Sequence, residues 1–326
     1  MRVAVDAFGG DNAPLAAIKG AVLATKEYNL EVILVGDEEK IKSVATENGI
    51  SLEGISIHHA EDVIEIDDDP TTLLKAKKNS SMAKTLTLLS EGGADAAVSA
   101  GSTGALVVGG TFIVKRIKGV KRCALAAIMP SKKQNFMMLD VGANAEVKPE
   151  YLAQFGIMGA TYMENVMGVK NPRVALLNIG TEDCKGTETH VEAHKLLKEA
   201  PINFCGNLEG RELMSGEYDV VVADGFSGNI ALKTVEGVAS TFFSMLKGVM
   251  YSNIKNKLCA LGLKKGLYSI KDKMDYSKVG GAPLLGTRKV VFKAHGSSNE
   301  IAFKNAIHNA ALFAENKVIE KIEGKL

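Results

Sequence analysis

The chain has 326 residues, 46% hydrophobic and 24% charged, with no tryptophan and a net charge of +1. That length can bury a substantial core as one large domain or two intimate lobes. The near-neutral balance and the lack of any nucleic-acid-binding motif argue against a nucleic-acid partner. Four cysteines, Cys123, Cys184, Cys205 and Cys259, lack C-x-x-C spacing and read as reduced thiols of a cytosolic protein rather than a disulfide frame.

In chain order, strand 2–6 leads through Gly9-Gly10-Asp11 to a helix over 13–27, with Pro14 in its first turn. Asp6 interrupts the early apolar run, so no signal peptide is expected. Strand 31–35 and helix 38–48 follow, then helix 80–91, strand 95–99 and helix 103–115. Residues 96–114 carry no charge, but Gly101, Ser102, Thr103 and Gly104 mark a strand-turn-helix rather than a membrane span. Strands near 123–129 and 135–140 are joined so closely that they read as an antiparallel hairpin. A helix opens at Pro149 and runs to about 166. Strand 173–178 precedes helix 187–199, strand 219–223 precedes a long helix from about 228, and strand 289–293 precedes a last helix over 298–322. This alternation predicts an α/β sandwich with a mixed, largely parallel sheet.

At six points a strand runs through small polar residues into a helix: 3–11, 96–105, 136–146, 173–188, 219–229 and 290–299. Such turns present backbone N–H groups at the positive end of a helix, where anions and above all phosphate bind. Six of them predict strand ends gathered around one phosphate-handling crevice. In particular, turns 9–11, 101–104 and 225–229 are expected to bound one pocket with Lys185 and His295 nearby. The loop residues Asp6, Asp11, Asn144, Glu182, Asn207, Asp224 and Asn229 all sit beside glycines. So do Ser102, Thr103, Ser227 and Ser297, among Gly104, Gly186, Gly225, Gly228 and Gly296. Asp, Asn and Ser also form turns and cap helices, which is their ordinary role. Lys185 and His295 are not turn formers, and each precedes a glycine, as an oxyanion or phosphate clamp would.

Familiar motifs do not fit. No G-x-G-x-x-G follows the first strand, and the loop 180–187 has Lys-Gly-Thr where a P-loop needs Gly-Lys-Thr. His190 and His194 lie four apart, but Glu192 is one position late for a metalloprotease helix. Cys184 has no His-Asn arrangement near it in sequence to mark it as a nucleophile.

Charge is uneven. Between Asp95 and Asp140 there are seven basic residues and no acid, and 247–278 carries eight lysines against Asp272 and Asp275. Across 235–270, apolar residues at helical spacing mix with lysines; Leu258 and Leu261 stand among Lys255, Lys257, Lys264 and Lys265. That pattern suits a membrane surface, an acidic partner or a helix pair against a second copy.

The chain resembles the bacterial phosphate acyltransferases of phospholipid synthesis, the PlsX family. The resemblance rests on VAVDAFGGDNAP (3–14), VIEIDDDP with KAKKNSS (63–70, 75–81), VSAGSTGAL (98–106), LDVGANAE (139–146) and NIGTEDCKGTE (178–188). It continues through INFCGNLEGREL (202–213), ADGFSGNIALKTVEG (223–237), YSKVGGAPLLG (276–286) and KAHGSS (293–298). The family usually has Asn at Ser102, Met at Phe8 and a small residue at Cys184. The resemblance implies one phosphate acyltransferase domain over 1–326, with a helical excursion at about 235–275. It implies the three-layer α/β/α fold of isocitrate and isopropylmalate dehydrogenases and of phosphotransacetylases. The implied reaction converts acyl-acyl carrier protein and inorganic phosphate to acyl phosphate, with no metal or organic cofactor. Implied partners are the carrier, a second copy in a homodimer, the membrane surface and a membrane-bound glycerol-phosphate acyltransferase. Lys185, His295 and Asn229 are the expected catalytic residues. The other glycine-turn residues, Gly9 and Gly10 included, would bind phosphate, and His295 would stabilise an oxyanion or protonate the leaving thiolate. Two alternatives share the architecture: a coenzyme A-dependent phosphate acetyl- or butyryltransferase, and a metal- and nicotinamide-dependent decarboxylating dehydrogenase. A non-catalytic carrier-binding scaffold is disfavoured by the number of site-like loops.

Overall fold

A computed structural model describes residues 1–274 and 280–326, apart from the side chains of 268–269 and 271–274. Tyr276–Val279 of the 276–286 motif therefore lie outside the described residues, as do the side chains of Lys271, Lys273 and Lys278 in the basic block.

The first half comprises β1 (Arg2–Asp6), α1 (Leu15–Tyr28), β2 (Glu31–Gly36), α2 (Glu38–Glu47), β3 (Ile55–His59), α3 (Ser81–Ser90), β4 (Ala96–Ser99) and α4 (Thr103–Gly109). The hairpin β5 (Ala124–Met129) and β6 (Phe136–Leu139) is antiparallel, as the short connection predicts. There follow α5 (Pro149–Asn165), β7 (Arg173–Asn178), α6 (Glu188–Glu199), β8 (Asn203–Glu209), β9 (Val220–Val222), α7 (Gly225–Tyr251), α8 (Ile254–Met274), β10 (Ala282–Leu285), β11 (Val290–Lys293), α9 (Glu300–Glu315) and α10 (Val318–Glu323). Three strands, β3, β8 and β10, have no counterpart in the sequence reading. The predicted helix over 298–322 is two helices, because the chain turns left-handed at Lys317 (φ 50°). Helix 103–115 ends early as an α-helix and continues as one π turn over Gly110–Val114.

The eleven strands among the described residues form one sheet in the order β3-β2-β1-β4-β11-β10-β5-β6-β9-β7-β8. Central strands are buried on both faces, and period-two alternation divides their side chains between two cores. Val3, Val5, Val98, Phe292, Leu139 and Val222 point to the face covered by α1, α5, α6 and α9. Ala97, Val291 and Leu284 point to the opposite face under α3 and α4, and Leu125, Met138 and Val221 lie under α7. The result is a three-layer α/β/α sandwich.

The strand directions explain where a site can form. β11 is antiparallel to β10, β10 to β5, and β5 to β6, whereas β1, β4 and β11 are mutually parallel and so are β6, β9 and β7. The six glycine turns therefore fall into two groups of three that run in opposite directions, not one row. The groups approach each other because β10 and β5 are staggered between them: Ala282 pairs with the C-terminal end of β11, and Ala126 with the C-terminal end of β6. Helix α7 begins in the second group and passes over this junction.

Beyond the sheet, α7 and α8 pack on each other, and their outer residues are exposed, including Leu258 (64%) and Leu261 (66%) beside Lys255, Lys257, Lys264 and Lys265. No helix among the described residues is long and apolar enough to cross a membrane.

Candidate active site

One wall is built at the ends of β1, β4 and β11. Asp6 is buried and faces its own turn, not open space. Its carboxylate accepts from Ser99 Oγ at 2.6 Å and from the Phe8 N–H at 3.3 Å. Burial pushes this carboxyl up, against the hydrogen bonds from Ser81 and Ser99 that favour its charged form. Gly9 lies against Gly101, and Gly10 adopts φ +93°, where a Cβ would stand 2.8 Å from Gly296 O. The Asp11 N–H donates to Gly296 O at 2.8 Å. Ser102 caps α4, accepting from the Ala105 N–H at 3.5 Å, and Gly104 rests on Pro70. These turns thus form one framework that fixes Thr103 and the 294–298 loop.

The facing wall starts from Asp140, which sequence reasoning missed. It is buried and accepts the N–H groups of Leu125, Ala143 and Asn144 and the Asn144 side-chain amide. Burial pushes its carboxyl up. Asn144 also donates to Cys123 O at 2.7 Å, so its amide braces the turn. Asp224 caps α7 by accepting from the N–H groups of Phe226 and Ser227. Gly225 packs on Asn144, and a Cβ at Gly228 would lie 1.9 Å from Asp140 O. The close approach these glycines permit brings Asn229 beside Gly142.

Between the walls is a cavity of about 560 Å³. Its polar lining is Thr103, Asn229, Lys233, Glu236, Ser240, Lys293, His295, Gly296 and Ser298. Of these, Lys233, Glu236, Ser240, Lys293 and Ser298 are additions to the sequence reading. Lys293 closes β11; its ammonium donates to Ala100 O at 3.2 Å and Ala294 O at 2.5 Å, which leaves one N–H for the cavity. Burial pulls its pKa down to about 8, although Asp6 and Asp11 favour the cation. In the sequence a lysine ending an apolar strand, VVFK, reads as an ordinary edge charge, and it is the burial that marks it. His295 Nδ1 accepts the Ser297 N–H at 3.2 Å and stands 2.8 Å from Ser297 Oγ, while Nε2 stands 3.4 Å from Lys233 Nζ. Burial and the Lys233 cation both hold the imidazole neutral by lowering its pKa. The Lys233 charge is itself paired with Glu236 at 2.8 Å.

Lys185 does not line this cavity. It belongs to the exposed loop after β7, where Asn178 Nδ2 donates to Lys185 O at 3.0 Å and Gly186 (φ +94°) packs on Asn178. Asn207 braces the same loop, donating to Glu182 O at 2.8 Å while its Oδ1 meets His194 Nδ1 at 3.0 Å. The loop leads into α6, whose first turn meets the α7 terminus where His190 Nε2 stands 3.9 Å from Asp224. His190 and His194 thus have separate partners, and Cys184 is exposed on this loop. The expected single pocket resolves into a cavity containing His295 and Asn229, the turns that frame it, and a neighbouring loop that carries Lys185.

The family described as "Fatty acid synthesis protein" matches residues 1–321. A phosphate acyltransferase of Bacillus licheniformis is 49% identical, covering 100% of this chain and 98% of its own length. One from Clostridium acetobutylicum is 48% identical over 100% and 99%. Among solved structures, a phosphotransacetylase from Streptococcus pyogenes superposes with TM-score 0.64 at 19% identity, over 97% of this chain and 94% of its own. A 4-hydroxythreonine-4-phosphate dehydrogenase from Klebsiella pneumoniae superposes with TM-score 0.55 at 12% identity, over 96% and 99%. These structures share the fold, and the full-length kinship shows more: the chain belongs to the PlsX family of phosphate acyltransferases.

Proposed function

We propose that this protein forms acyl phosphate by transferring the acyl group of acyl-acyl carrier protein to inorganic phosphate, for phospholipid synthesis. The observation that carries the reading is one cavity with cationic and N–H donor groups at one end and an apolar continuation. A thioester is already activated, so the enzyme must chiefly hold phosphate near the carbonyl and stabilise the oxyanion. The free N–H of Lys293, the Thr103 hydroxyl and the backbone at Gly296 hold the phosphate dianion. A phosphate oxygen attacks the thioester carbon, and the carbonyl electrons move to oxygen. His295 Nε2–H and the Asn229 amide donate to that oxyanion. Collapse breaks the C–S bond, and the carrier leaves as a thiolate that takes its proton from water. His295 is suited to donating a hydrogen bond rather than a proton, because Ser297 already occupies Nδ1 and a ring that gave up Nε2–H would have no proton left.

The whole chain serves as one domain, with α7 and α8 as its excursion. Lys185, at the loop beside the α7 terminus, acts on the donor side of the cavity. The protein works in the cytoplasm as a homodimer, with the exposed apolar face of α7 at Val238, Phe242 and Met245 suited to a second copy. The α7–α8 tip meets the membrane surface, where the product passes to a membrane-bound glycerol-phosphate acyltransferase.

The test is release of free carrier from purified acyl-acyl carrier protein, with and without phosphate, beside the same chains on coenzyme A. Release that requires phosphate and prefers the carrier is expected. Phosphate-independent release, or turnover of coenzyme A thioesters alone, would overturn the reading.

A further inference from the structure

A bare phosphate needs only a small part of the cavity. The remainder runs along α7 as a trough whose helix side is Leu232, Val235, Ala239 and Phe243, spaced three and four apart on one face. Its floor is β5, where the lining includes the alternate residues Ala127 and Met129. From Lys233, which meets His295, to Phe243 is ten residues of helix, about 15 Å at the α-helical rise. The charged groups Lys233 and Glu236 are paired with each other near the imidazole, so beyond them the helix side is apolar except for Ser240. Half-buried apolar side chains that line an open space gain if a hydrocarbon enters it.

We propose that this trough between α7 and β5 receives the acyl chain, and that Ala239 and Phe243 set the chain length accepted. The proposal rests on the acyl-transfer reading and adds a specificity device to it. Ala239 keeps the middle of the trough open, and Phe243, the last lining residue on α7, closes the far end. A larger residue at 239 would stop a long chain midway, whereas a smaller one at 243 would extend the trough.

The experiment uses the full chain with Ala239→Phe, Ala239→Leu and Phe243→Ala. Rates are measured with carrier loaded with eight-, twelve- and sixteen-carbon chains. In Ala239→Phe the kcat/KM ratio of the sixteen- to the eight-carbon donor should fall at least tenfold. Ala239→Leu should shift it the same way by less, and Phe243→Ala should move the preference to longer chains. Calorimetric binding of alkylphosphonates of the same lengths gives a readout free of turnover. In the wild type, affinity should rise about threefold to fourfold per methylene until the chain meets Phe243. In Ala239→Phe the rise should stop at a shorter chain. An unchanged length dependence of phosphonate binding in Ala239→Phe and Ala239→Leu would overturn the trough, whatever the activity. If no carrier thioester is turned over by the wild type while phosphonate binding follows the expected lengths, the acyl-transfer reading fails and the trough stands.

Discussion

Among single residues, Lys293 and His295 bear the chemistry, one hidden in the sequence and one legible in it. His295 could be read because a histidine between Ala and Gly in a strand-end loop has no turn-forming reason to be there. Lys293 was missed because a lysine at a strand end reads as an edge charge; only burial among β1, β4 and β11 shows that it is a cation held inside. With its pKa near 8, Lys293 is protonated below that pH and loses its charge above it. Phosphate is expected to bind well below pH 8, with KM for phosphate climbing as pH passes through about 8. Lys293→Arg, whose charge does not titrate there, should move that limb to higher pH in a steady-state pH profile. A limb unmoved by Lys293→Arg would assign the titration elsewhere. Direct attack by phosphate also makes Cys184 dispensable: Cys184→Ser should keep most activity, and mass spectrometry should find no acyl adduct on this exposed thiol.

At the scale of elements, glycines decide where helices dock. Gly228 is one turn into α7 and faces Asp140 O, so Gly228→Ala should cost roughly 1–3 kcal/mol by overpacking and displace Asn229. Gly237, farther along the same helix, has nothing within 4 Å of its Cβ position. Gly237→Ala should therefore stabilise by about 0.5–1 kcal/mol. Thermal melting of the two variants should show opposite shifts, and a shared sign would contradict this packing. The α7–α8 tip has a separate role in the account. Leu258→Glu with Leu261→Glu should abolish flotation with anionic vesicles and leave soluble acyl phosphate formation intact. Most helices were legible from glycine punctuation, and Asp37, Ser80 and Asn299 supply the caps that fix their starts. β10 was not, because four residues that include Pro283 carry too little alternation to register as a strand.

At the scale of the whole molecule, the sheet places the chemistry where two oppositely directed strand groups meet. The α/β class and the six turns could be read from periodicity and from the small residues that end each strand. The reversal could not, since β10 carries too little pattern to register as a strand and its pairing with β5, Leu285 with Ala124, joins residues more than a hundred positions apart. Lys185, read as a partner of His295, stands on a neighbouring loop because β7 lies one strand farther from the junction than β9, while Thr103 and Asn229, from opposite groups, line one cavity. The central claim is that acyl phosphate forms in this cavity, on phosphate held by Lys293. Hydroxylamine trapping of acyl phosphate from palmitoyl carrier and phosphate tests it most directly, in the wild type and in Lys293→Met. The account predicts phosphate-dependent hydroxamate in the wild type and at least a hundredfold less in Lys293→Met, with its thermal melting unchanged or raised by removal of a buried charge. Undiminished hydroxamate from Lys293→Met would contradict it.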